Sequence, residues 1–439
     1  MADNAQQPAR PVEQPRFHFF TNSWINDPCA PGYDPWTKHT TFLPILHQVT
    51  GNPEGCEWGN MSWGHAVSKD MLAWSSALTS PALAPDQPYD SQGVFTGCWI
   101  PPADAGIKPT GNPILAGEPA GLRVTGFRDP YVTRLPAISE ALGSSTMTRY
   151  GLISGGIQDV GPTTFLYAID DNNVEEWTYL GPLVDVPARF QPSKKWSGNY
   201  GVNWECTNIV TLHADSESRH FLIIGAEGDV EKDHVKNRCH PTGAPSRTVR
   251  GQVWMSGNLT RADDGVKFGY KHGATLITGP LRCELRKGWN GSLAIPREIF
   301  LLRVPNVERT FRGTLAECHP FEVKTEADDS MTILTLAFQT QSSSWELEAV
   351  ISIHSECESV GFNIRHNKDL SIHTTITFCT VTENIIAAPA HLSDGDILEV
   401  FANDRFALAT MVYSRSYSQE NSGITAFANG SAGSAILKA

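Results

Sequence analysis

Three acidic residues stand where covalent or acid–base chemistry could be done. Asp27 lies in Trp24-Ile25-Asn26-Asp27-Pro28, Asp129 in Phe127-Arg128-Asp129-Pro130, and Glu205 in Trp204-Glu205-Cys206. Each ends an apolar stretch beside a residue that packs hard or restricts the backbone. Proline after Asp27 and Asp129 biases each Asp toward an extended conformation. A carboxylate held at a strand start or turn beside Trp or Phe is a candidate for a perturbed pKa. Taken singly, each motif has an ordinary reading: Asp-Pro is a common turn, and Trp-Glu is a half-buried strand pair. Together they supply what retaining glycoside hydrolysis requires. One carboxylate is the nucleophile and one carboxylic acid the proton donor, at a separation of roughly 5–5.5 Å.

The acids lie 102 and 76 positions apart, 27 to 129 and 129 to 205. A fold that arranges successive sheets around a common axis would bring them together, and a β-propeller does so. Short runs rich in β-branched and aromatic residues dominate the chain, among them TTFLPILHQ, YGLISGGI, TTFLYAI, HFLIIGAE and TILTLAF. Gly, Pro, Asn and Asp clusters bound them, which predicts strands. Amphipathic helical periodicity is scarce, and 29 Pro and 37 Gly fit a chain that turns often. The fold class read from this pattern is all-β.

Near residues 300–315 the character changes. Plainer alternating strands follow, such as WELEAVISI, GFNIRH, TTITFCTV and RFALATMVY, a pattern suited to a two-sheet sandwich. The predicted organisation is a flexible N-terminal tail over 1–16, a catalytic domain over 17–305 and a C-terminal β-sandwich over 312–439. The sequence shows no clear internal repeat.

Composition narrows the function classes. The chain has 439 residues and a formal net charge of −13, from 34 Lys+Arg against 47 Asp+Glu. That balance argues against nucleic acid, which needs basic patches. No apolar run approaches the length that crosses a membrane. The nine cysteines are scattered and show no CxxC pair, so neither a disulfide framework nor a zinc site is expected. Cys29 and Cys206, each beside a proposed catalytic acid, are read as small packing residues. His47 and His65 lack partners at metal-ligand spacing, and no cofactor or metal is expected. Lys194-Lys195 reads as a solvated loop. Residues 1–16 are polar and show no signal peptide, while sequons at Asn60, Asn258, Asn290 and Asn429 favour secretion weakly. Localisation is left open between the cytoplasm and a mature secreted form, and a homodimer is an open state of assembly.

The three motifs together resemble those of glycoside hydrolase family 32, the invertase, inulinase and fructosyltransferase family. WINDP resembles its W-M-N-D-P nucleophile motif, FRDP its R-D-P motif, and WEC the start of its E-C motif. Further supports follow in order: His47-Gln48 with Asn52-Pro53, the stretch from Trp58 to Ala66, Phe95-Thr96-Gly97-Cys98, Gly288-Trp289-Asn290-Gly291-Ser292 before Pro296-Arg297-Glu298, and Leu398 to Asp404. The likeness spans roughly 17–439 and is nearest to fungal members.

The resemblance implies a five-bladed β-propeller followed by a β-sandwich. It implies that Asp27 attacks the anomeric carbon of fructose, that Glu205 is the acid and base, and that Asp129 holds fructose hydroxyls and stabilises the transition state. Asn26, Gln48, Trp58, Phe95 and Thr96 match positions that line the fructose pocket, and Arg128 pairs with a carboxylate to fix its geometry. A furanoside site needs such polar groups and aromatic faces. For Trp58 and Trp63 the competing reading is packing between blades. The implied activity is a retaining β-fructofuranosidase acting on sucrose or short fructans. A fructosyltransferase and a catalytically impaired sugar-binding relative are the alternatives. An arabinanase- or xylosidase-type relative would be inverting, with carboxyl groups about 6.5–9.5 Å apart.

One stretch departs from the pattern. A four-stranded blade takes about 50 residues, and only roughly 265–303 is left for a fifth. Between 274 and 290 the chain reads ITGPLRCELRK where a strand pair is expected, so the fifth blade is predicted to be abbreviated. The sandwich is also thin around 383–395. A missing strand leaves an unpaired edge.

Overall fold

The structure is a computed structural model that describes residues 18–33, 45–55, 57–68, 73–76, 80–98, 110–144, 148–192, 199–228, 251–263, 265–275, 291–293, 299–301, 313–315, 338–339, 347–354, 356–371, 373–380, 384–389, 396–402, 406–412, 423–430 and 435–438. The predicted tail over 1–16, the domain boundary at 305–312, Lys194-Lys195 and all but the start of the 274–290 stretch lie outside these residues. So does the side chain of Gln48.

The fold is all-β and its strands pair antiparallel. The chain divides into two compact units, one of His18–Ala316 with Val400–Ala409, the other of Met1–Phe17, Glu317–Glu399 and Thr410–Ala439.

Among the described residues of the first unit there are three four-stranded meanders. The first joins β1 (Trp24–Tyr33), β2 (Ile45–Asn52), β3 (Ser62–Ser68) and β4 (Trp74–Ser76). The second joins β5 (Val124–Thr133), β6 (Arg149–Ile157), β7 (Gly161–Ile169) and β8 (Trp177–Pro182), with the short helix α1 (Pro136–Leu142) after its first strand. The third joins β9 (Asn203–Ala214), β10 (Glu217–Glu227), β11 (Gly251–Ala262) and β12 (Gly265–Thr275). The short pair β13 (Ile299–Leu301) and β14 (Gly313–Leu315) comes next.

Sequence pattern explains which strands are central. β6 (RYGLISGGI) and β7 (GPTTFLYAI) are apolar along nearly their whole length and are buried on both faces. Pro28 and Pro130 occur in β1 and β5, the outer strands of their sheets, where a missing ladder donor is tolerated. A single apolar core unites the second and third meanders. Ile138 of α1, Leu152 and Leu166 meet Trp204, Ile209, Leu222, Val253 and Met255. Cys29 packs on Trp63 in the first meander.

The second unit centres on a five-stranded sheet in the order β15 (Phe338–Gln339), β22 (Gly423–Gly430), β17 (Cys357–His366), β18 (Thr374–Cys379) and β19 (Asn384–Pro389). Its buried face carries Val360, Ile364, Ile424 and Ala426. A further pair joins β16 (Val350–Ile353) to β23 (Ala435–Lys438). β20 (Asp396–Ala402) pairs with β21 (Phe406–Val412), and the residues of these two strands are divided between the units. Among the described residues no helix is long and apolar enough to cross a membrane.

Candidate active site

Each of the three acids lies on the first strand of a meander, and each of those strands is irregular at the acid. In β1 the register steps from Ile25↔Gly51 to Pro28↔Val49, so Asn26 and Asp27 together oppose Thr50. In β5 it steps from Arg128↔Ser154 to Tyr131↔Leu152, so Asp129 and Pro130 oppose Ile153. In β9 it steps from Glu205↔Gly225 to Asn208↔Ile223, so Cys206 and Thr207 oppose Ile224. A bulge of two residues against one bends the strand and re-aims its side chains. Strand-initial or turn placement of the Asp-Pro motifs is therefore corrected, because Asp27 and Asp129 both lie inside strands.

The extended conformation expected for Asp129 is also corrected. Its φ is 58°, in the left-handed region, and Cys206 has φ 49°. The bulges account for this, since the extra residue takes up a turn of the chain that an extended residue would not. A non-glycine residue in this region is sterically strained and held there by its surroundings.

The amides freed by the β9 bulge find partners at the site. The Cys206 N–H donates to Asp129 Oδ2 at 3.1 Å, and the Thr207 N–H to Ser154 Oγ at 2.8 Å. The Cys206 thiol donates to the same Asp129 oxygen at 3.6 Å and is also hydrogen-bonded to Asp27. Cys206 thus touches two of the acids and feels the charge of all three, which corrects its reading as a packing residue. Burial, then the charges of Asp27, Asp129 and Glu205, raise its thiol pKa well above the ordinary value. Cys29 is fully buried in the core.

Asp27 accepts a 2.7 Å hydrogen bond from Thr96 Oγ1 and one of 3.2 Å from Asn26 Nδ2, both on Oδ2. Asp129 is buried, and burial followed by the neighbouring charge of Asp27 pushes its pKa up to about 6. The Cys206 N–H and Arg128 oppose that rise. Glu205 is set by Trp204, whose fully buried indole donates to the Tyr200 carbonyl at 3.0 Å.

Arg128 is the cation of the site. It lies 3.8 Å from Asp129 and 3.6 Å from Glu205, and it pairs closely with Glu227 at the end of β10. Burial disfavours its charge, but Glu227, Asp129 and Glu205 outweigh that and raise its pKa. Sequence reasoning missed Glu227 and Asn203. The Asn203 amide donates to Glu227 Oε2 at 3.0 Å and accepts from Thr125 Oγ1 at 2.9 Å. The run HFLIIGAE predicts the strand that ends on Glu227, and that position is the signal the sequence offers.

The aromatic residues divide clearly. Trp58 is 68% exposed and Phe95 46%, and their rings lie 6.3 Å apart. Trp63 is 6% exposed, packs on Cys29 and donates its indole N–H to the Phe95 carbonyl at 2.9 Å. Core packing thus holds for Trp63 and fails for Trp58. Phe95 joins the aromatic pair to Thr96 and so to Asp27. Gln48 pairs by backbone with Cys29 on β1 and His65 on β3, two residues from Asp27 across the sheet.

The arrangement presents a hydrogen-bonded carboxylate, a buried carboxyl group of raised pKa and a third carboxyl group held near a guanidinium, with exposed aromatic faces alongside. Comparison with known proteins places these features in a family. The model of the glycosyl hydrolases family 32 N-terminal domain matches residues 18–107, and that of the family 32 C-terminal domain matches 311–388 and 390–439. An acid beta-fructofuranosidase of Phaseolus vulgaris is 35% identical over 422 residues, covering 82% of this chain and 59% of that protein. One of Vigna radiata var. radiata is 36% identical over 334 residues, covering 65% of this chain and 48% of its own. The chain thus spans roughly half the length of these relatives. The solved structure of the Aspergillus kawachii beta-fructofuranosidase complexed with glycerol superposes with a TM-score of 0.64 at 19% identity. It covers 98% of this chain and 93% of that one, a likeness of fold. With both family domains matched in order, and Asp27 inside the first, the chain belongs to glycosyl hydrolase family 32.

Proposed function

We propose that this protein is a retaining β-fructofuranosidase that hydrolyses the fructosyl bond of sucrose or short fructans. The observation that carries the reading is the meeting of acids from three meanders around Cys206. The beta-fructofuranosidases among its relatives support sucrose as the substrate.

Asp27 Oδ attacks the anomeric carbon of the fructosyl unit while Glu205 gives its proton to the departing glycosidic oxygen. The C–O bond to the leaving sugar breaks, and a fructosyl ester forms on Asp27. Glu205, now a carboxylate, takes a proton from water, whose oxygen attacks the same carbon and frees Asp27. Thr96 and Asn26 orient the nucleophile. Asp129 accepts hydrogen bonds from fructose hydroxyls, and Trp58 and Phe95 face the sugar's C–H surface. We place this chemistry on a five-bladed propeller over 17–305, with a β-sandwich over 312–439. The four-stranded meanders support a propeller, and β12, which completes the third of them, takes up the 265–275 portion of the stretch expected above for the fifth blade.

Incubation with sucrose, inulin and levan, with products resolved by chromatography, tests the reading. Glucose and fructose from sucrose are expected. Kestose-type oligomers as the main product would identify a fructosyltransferase instead. Sugar binding by calorimetry without turnover would overturn the enzymatic reading.

A further inference from the structure

Glu205 must hold a proton before the bond breaks, yet it lies 3.6 Å from a guanidinium. An opposite charge that close favours the carboxylate and lowers a carboxyl pKa by about 1–3 units. Arg128 already pairs with Glu205, and a closer approach would favour the carboxylate further.

Glu227 competes for the same nitrogen. Arg128 Nη2 makes its shorter contact with Glu227 and its longer one with Glu205. Glu227 is itself held. Asn203, buried and two positions before Glu205 on β9, donates to Glu227 Oε2, and the Thr125 hydroxyl fixes the other end of the Asn203 amide. Glycine at 126 leaves room for this chain of contacts: a Cβ there would come 2.6 Å from Asn203 Oδ1 and 2.8 Å from Arg128 Nη1. The same Asn203 amide nitrogen also donates to the Trp204 carbonyl at 3.3 Å, next to Glu205.

We propose that Glu227 is a positioning residue, held by Asn203, that draws the Arg128 guanidinium away from Glu205 and so leaves Glu205 able to carry the proton it delivers. The inference rests on the hydrolytic reading above and adds a residue to it. Among the described residues, Arg128 feels the charges of Glu227 from β10, Asp129 from β5 and Glu205 from β9, and Cys206, next to Glu205, feels those of Asp27 from β1, Asp129 and Glu205.

Two variants separate position from charge. Glu227→Gln removes the pull on Arg128 and a nearby negative charge. Glu227→Asp keeps the charge but shortens the reach by one methylene. Both are expected to let Arg128 close on Glu205. The alkaline limb of kcat/KM for sucrose, which reports the free enzyme's acid, should then fall by about one pH unit in both. The 13C titration of the Glu205 carboxyl carbon, assigned with Glu205→Gln, should move the same way and needs no turnover. An unmoved titration in both variants overturns the inference. So does a fall in Glu227→Gln with Glu227→Asp unchanged, which would make charge alone responsible. Absent turnover in the unaltered protein would sink the hydrolytic reading, while the carbon titration would still decide the positioning.

Discussion

The Cys206 N–H donates to the Asp129 carboxylate, and both residues hold left-handed backbone at bulges of two different strands. The contact ties the strand of the proposed proton donor to that of the proposed transition-state acid. It also places the Cys206 thiol among three carboxylates. Iodoacetamide at neutral pH is therefore expected to label Cys206 far more slowly than a free thiol, because the reacting thiolate is disfavoured. Mass spectrometry of the labelled peptides checks this. Rapid labelling of Cys206 in the folded protein would contradict it.

Thr96 gives a second prediction. Its 2.7 Å bond to Asp27 is charge-assisted, and such bonds contribute about 1.5–3 kcal/mol. Thr96→Val should lower kcat/KM for sucrose by about tenfold or more, and Thr96→Ser should recover most of the loss. Equal activity in all three proteins would remove the bond from the mechanism.

A third concerns stability against pH. The Asp129 pKa is about 6 in the folded protein, above its ordinary 3.8, with burial the main cause. A raised pKa stabilises the fold below the unfolded value, and that stability is lost as pH rises through about 6. The cost at neutral pH is on the order of 2–3 kcal/mol. Asp129→Asn keeps an oxygen for the Cys206 N–H and carries no charge. It should melt above the unaltered protein at pH 7 and lose that advantage near pH 4, while its activity falls sharply. Scanning calorimetry at the two pH values reads the difference. A constant gap would contradict the assignment.

Gly225 gives a fourth. It pairs with Glu205 across β9 and β10, and a Cβ there would come 2.7 Å from Glu205 Cγ. Gly225→Ala must push the acid aside, and a misplacement of about 1 Å costs roughly a hundredfold in rate. The expected result is a large fall in kcat with an unchanged far-ultraviolet spectrum. Full activity would show that Glu205 needs no such placement.

Strand-rich composition made the all-β class legible, and strands such as YGLISGGI and TTFLYAI coincide with β6 and β7. The three acids were legible as motifs because each is bracketed by Trp, Phe or Pro. The bulges were not. Asp-Pro suggests a turn, and only pairing with Thr50 or Ile153 reveals an extra residue within a strand. The repeated meander was hidden for a related reason. Its repetition lies in hydrogen-bond register, which sequences as different as WINDP and WEC satisfy equally. Glu227 was invisible because a lone Glu at a strand end has no local signature, and its partner Arg128 is 99 positions away. Cys206 was misread because the carboxylates that surround it come from β1, β5 and its own strand.

The measurement that bears most directly on Asp27 and Glu205 is the mass of the intact Glu205→Gln protein after mixing with an activated β-fructofuranosyl donor. A leaving group that needs no proton lets the first step proceed, while the missing base slows the second. The account predicts a stable gain of one anhydrohexose, located to Asp27 by peptide mapping and absent in Glu205→Gln/Asp27→Asn. Donor consumption with no adduct, or an adduct on another residue, would contradict it.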